Sequence, residues 1–155
     1  MAGFFHMITE LHKKNKNRSR NFNLFKACMA GTALAAMADG QFARREDAAL
    51  EKLTKVVSEL KLYGANHTRE LFMEFVEKIQ KDPEAGREAA MEAVALAKDS
   101  PEWAATAIML AATISESDGV VDVAEQEVVE RIGRLLGIDP STISSLQVDF
   151  KDELY

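Results

Sequence analysis

The sequence predicts an all-α protein: a single compact bundle of about seven to eight helices with an internal pseudo-twofold repeat. Three observations carry this expectation. Apolar residues recur at spacings of three and four almost throughout, and no stretch alternates as a strand does. All three prolines follow a good N-cap residue, in Asp82-Pro83, Ser100-Pro101 and Asp139-Pro140. Proline at the first helical position forfeits no hydrogen bond, because that N–H has no partner anyway. The chain also repeats itself at a shift of 79 positions, which lays Asp39 on Asp118, Gly40 on Gly119, Phe42 on Val121 and Glu46 on Glu125.

Taken in order, Phe4, Phe5, Ile8 and Leu11 predict a first helix over 3–14, followed by a basic run. Phe22, Phe25 and Met29, with Leu24 and Cys28 beside them, predict a second over 22–38. Leu50, Leu53, Val56, Val57 and Leu60 give 44–62, which Gly64 closes as a C-terminal cap. Leu71, Phe72, Phe75, Val76 and Ile79 give 67–80, and Ala90, Ala93, Val94 and Ala97 give 83–98. Trp103, Ala107, Ile108, Ala111 and Ile114 give 101–116. Val128, Val129, Ile132, Leu135 and Leu136 give 123–137 with Gly137 at its end, and a last helix follows over 140–150. The links are short, as in a bundle rather than a solenoid.

Charge narrows the functional classes. Residues 1–20 carry Lys13, Lys14, Lys16, Arg18 and Arg20 against Glu10, so the remainder holds −10 of the total of −6. A body this acidic repels phosphate backbones, which argues against nucleic acid as a partner. The basic segment 1–20 can lie peripherally on an anionic membrane surface, dock on a partner, or form a solvated first helix. No apolar run reaches the ~20 residues of a membrane span, and no signal-peptide pattern opens the chain. KDEL near the end is followed by Tyr155, so it does not read as a retention signal. The expected location is cytoplasmic, with peripheral contact at the inner face of the membrane as an option.

Catalytic patterns are missing. The histidines are His6, His12 and His67, none near an acidic turn, and there is no Glu-x-x-His pair for a carboxylate-bridged metal oxidase. His67 and Glu70 share a helix face, which reads as a solvated pair. Cys28, the single cysteine, sits among apolar residues and reads as a small core residue. No Ser/His/Asp set, Cys/His set, phosphate-binding glycine loop or zinc motif occurs. The expectation is a protein that is not an enzyme.

Chemistry concentrates in two turns, MADGQFARREDAALEKL at Met37–Leu53 and ESDGVVDVAEQEVVERI at Glu116–Ile132. Each reads as apolar helix, Asp-Gly, apolar residue, acidic turn, amphipathic helix. Taken singly, each is a helix stop and restart, with acids complementing the next helix dipole. Their matched register adds a second reading. An aspartate before the turn and a glutamate seven residues on can face the same space. If Asp39, Glu46, Asp118 and Glu125 converge, each close pair repels by about 3 kcal/mol at ~5 Å and an effective dielectric of ~20. A hard divalent cation (Ca²⁺, Mg²⁺ or Mn²⁺) relieves this, and all-oxygen ligation suits it. The spacing is not that of an EF-hand.

These two turns, MADGQF with Glu46 and ESDGVV with Glu125, resemble the paired Asp-Gly turns of the TerB, or tellurite-resistance protein B, family. MAGFF ahead of a basic stretch is similar to the family's opening, and the resemblance spans roughly residues 20–138. It implies a helical pseudo-symmetric domain over 21–155, behind the amphipathic segment 1–20, with a fold shared by the N-terminal domain of some DnaJ-like co-chaperones. It implies a divalent-metal site at Asp39, Glu46, Asp118 and Glu125, with Asp47 and Asp122 as further candidates. It also implies a stress-response role linked to tellurite, phage and colicins, with an integral membrane protein of a Ter-type system as partner. The first turn departs from the family pattern, placing Arg44 and Arg45 where further acids are common. That leaves open an alternative: a metal-free, co-chaperone-like interaction module with an acidic docking face.

Overall fold

From Leu24 to Met37 every residue but Lys26 is buried, so this stretch forms the axis of the molecule rather than one of its faces. It belongs to α1, Arg18–Ala36. A helix apolar all round is stable only when neighbours cover every side. Ala27, Ala30, Gly31, Ala33, Ala35 and Ala36 keep it narrow enough for them to do so. The computed structural model describes residues 18–38, 51, 55, 65–115, 123–139 and 141. Within these, α1 is joined by α2 (Ala65–Lys81), α3 (Pro83–Val94), α4 (Pro101–Ser115) and α5 (Val123–Leu136), with a 3-10 turn at Ala95–Ala97. The described residues contain no strand. The predicted helices over 3–14, 44–62 and 140–150 lie outside the described residues, save Glu51, Lys55 and Ser141, which are helical.

Four helices pack around α1, and its most extensive interface is with α4. The core is continuous and runs through Phe25, Phe72, Phe75, Val94, Ile108 and Ile132. The Sγ–H of Cys28 donates to the Trp103 carbonyl at 3.9 Å, tying α1 to the first turn of α4. A β-carbon built on Gly31 would stand 3.6 Å from both Ile132 Cδ1 and Val94 Cγ2, so α3 and α5 flank α1 at that level. Near the other end, Arg87 and Ala124 both reach the level of Leu34 and Ala38. Residue numbers thus rise along α3 and α5 as they fall along α1, so both run antiparallel to it.

Local chemistry sets the ends. At α3, the Asp82 carboxylate accepts from the Ala85 N–H at 3.2 Å and Pro83 takes the first position, as its sequence predicts. At α5, Gly137 adopts φ 77°. The Ile138 N–H then donates to Gly133 O at 2.8 Å and the Gly137 N–H to Arg134 O at 3.2 Å, a Schellman cap. Two differences from expectation stand out. The helix expected over 22–38 is already formed at Arg18, and Phe22 remains 39% exposed, so backbone helix begins before the buried stripe does. The helix expected over 83–98 gives way to the 3-10 turn, which tightens the chain into the Ser100-Pro101 start of α4.

α1 ends at Ala36, and α4 is described as far as Ser115. Each is followed directly by one of the acidic turns.

Candidate functional site

Of the six candidate ligands, Asp39, Glu46, Asp47, Asp118 and Asp122 lie outside the described residues. Glu125 falls in the first turn of α5, and its side chain is also outside them. The structure does describe what flanks them. α1 closes with Met37 N–H donating to Ala33 O at 2.9 Å and Ala38 N–H to Ala35 O at 3.3 Å. Its carbonyl end, the negative end of the helix dipole, leads directly to the chain position of Asp39.

A cavity of about 180 Å³ opens at this end of the bundle. Leu34 of α1 and Ala38 in the turn after it form one wall, Met91 of α3 a second, and Ala124 and Val128 of α5 a third. Ala38 precedes Asp39 in the chain, and Ala124 precedes Glu125. The antiparallel run of α5 along α1 accounts for this, since it sets the start of one beside the end of the other.

The same cavity carries charge that sequence reading does not single out. Arg87 reaches it from α3, and Glu127 and Arg131 from successive turns of α5. All three are exposed. Among the described residues no ion pair joins either guanidinium to a carboxylate; the ion pair there is Lys78 with Glu74, at 3.2 Å on α2. Arg87 and Arg131 lie 44 positions apart, so only the fold reveals that they line one cavity. A sequence clue exists in hindsight: each sits three or four residues from an apolar partner, Met91 and Val128, on the edge of a helix stripe.

Cys28 behaves as its surroundings dictate. It is fully buried, and burial pushes its thiol well above the usual range, so it stays protonated and unreactive at neutral pH. Among the described residues no three His, Cys, Asp or Glu side chains gather in a way that could hold a metal ion. Within the same residues no helix is long and apolar enough to cross a membrane.

Among the described residues, helix packing thus defines an all-helical bundle with a cavity that carries charged residues. Residues 25–148 match the family described as Tellurite resistance protein TerB. That match covers well over half the chain, and the protein belongs to the TerB family. No curated protein and no solved structure matches it.

Proposed function

We propose that this TerB-family chain is a non-enzymatic protein of tellurite resistance and stress response, which binds a divalent cation at its acidic turns and acts through protein partners. The site consists of Asp39, Glu46, Asp118 and Glu125, with Asp47 and Asp122 contributing. One observation supports the reading above others: Ala38 and Ala124, chain neighbours of Asp39 and Glu125, line a common cavity. The carbonyl end of α1 adds negative partial charge at the same place, which favours a cation. An oxygen-only donor set fits Ca²⁺, Mg²⁺ or Mn²⁺. The two halves repeat in sequence at a shift of 79 positions, which supports a pseudo-twofold arrangement. An integral membrane protein of a Ter-type system is the proposed partner, with segment 1–20 making peripheral contact.

Titration of the full chain with calcium, followed by calorimetry and backbone NMR, tests this. Saturable heat with shifts at Asp39 and Asp118 is expected, and Asp118→Asn should abolish both. No response at millimolar calcium would sink the metal site.

A second reading is favoured by Arg87 and Arg131. Guanidiniums on the adjoining cavity, together with Arg44 and Arg45 in the first turn, offset carboxylate repulsion without a metal. The domain would then be a metal-free interaction module, and Asp118→Asn would weaken capture of the partner while calcium has no effect.

A further inference from the structure

Building on the cation site proposed at Asp39, Glu46, Asp118 and Glu125, we infer that Arg87 and Arg131 regulate that site. They lower its affinity for a divalent cation by charge alone, without touching the ion.

Placement comes first. Ala38 and Ala124 line the cavity, and the residue after each is a proposed ligand, Asp39 or Glu125. Consecutive Cα atoms lie about 3.8 Å apart, so a cation held by those ligands adjoins the cavity. Arg87, Glu127 and Arg131 line the same space, which at about 180 Å³ is small. Their charges therefore fall within roughly 10 Å of such a cation, where Coulomb interactions are still felt.

The interaction of whole charges follows their separation and does not need the guanidiniums to point anywhere in particular. Two positive charges oppose the cation, while Glu127 and the carbonyl end of α1 attract it. All three side chains are exposed, so each effect is moderate and weakens with salt. Without a cation, the same arginines offset repulsion among the carboxylates, which stabilises the metal-free chain. Loading is thereby postponed to a higher cation concentration.

Calorimetric titration of the full, chelator-treated chain with calcium chloride in ~20 mM buffer tests this. Arg87→Gln/Arg131→Gln should tighten binding about 4-fold, and Glu127→Gln should weaken it about 2-fold. Salt at ~0.5 M should bring both ratios below ~1.5-fold. Arg87→Lys/Arg131→Lys should match the wild type, because it keeps the charge and loses the planar fork. Damage to the fold lowers affinity, so a gain cannot come from misfolding. Weaker binding by the Gln double variant overturns the proposal, as does tightening by the Lys variant or a ratio that salt leaves unchanged. Saturable heat with equal affinity in the wild type and the Gln double variant removes the tuning and leaves the cation site standing. No saturable heat from either at ~10 mM calcium overturns the cation site and its tuning together.

Discussion

Helix α3 meets its two neighbours in opposite ways. Toward α2 it comes so close that a β-carbon on Gly86 would stand 2.5 Å from the Lys78 carbonyl oxygen and 2.6 Å from Ile79 Cα. Toward α5, one residue further on, Arg87 and Met91 face open space. The smallest residue on a contact line sets how near two helices approach, and glycine removes the last obstacle. Long, charged or flexible residues on the other flank leave the helices apart. One flank of α3 is therefore closely packed, and the other borders the cavity.

Changes that erase this contrast should have the largest effects. Gly86→Ala forces backbone apart where no flexible side chain can yield, and should cost about 2–3 kcal/mol in urea unfolding. The core beneath both flanks is probed by Cys28. Its folded thiol stays protonated, whereas the unfolded thiol ionises above about pH 8.5. The unfolded state then holds fewer protons, so stability present below that pH is lost as pH rises, by up to ~1.4 kcal/mol per unit. Urea midpoints from pH 7.5 to 10 should show the slope, and Cys28→Ala should flatten it. Asp82→Ala removes the cap that starts α3 against α2 and should cost about 1 kcal/mol, measured the same way. Arg87→Gln, on the open flank, should move stability by less than ~0.5 kcal/mol. A loss there as large as that of Gly86→Ala would erase the distinction between the flanks.

Much of this bundle was legible before any coordinates. Prolines and glycines fix chain conformation locally, so the starts of α3 and α4 and the Gly137 end of α5 follow from neighbours in sequence. Stripes such as Phe72, Phe75 and Ile79 identify the core because burial on one side leaves a period. α1 is less readable for the opposite reason: buried on all sides, it has little period left, and its apolar stripe did not mark its first turn. The acidic turns were visible as a repeat, yet the ligands proposed there fall outside the described residues except for the backbone of Glu125. The cavity was not legible. Arg87 and Arg131 line one cavity through a tertiary arrangement that no spacing within one helix encodes.

The burial of α1 also has a mechanical consequence. A helix enclosed from Leu24 to Ala36 cannot slide or tilt without opening the core around that stretch, so its middle amides should exchange with solvent only through global unfolding. It is a spindle rather than a lever. Binding at its Ala38 end cannot be relayed by motion of the helix. It reaches the remainder of the domain as a change in the free energy of unfolding, felt everywhere at once.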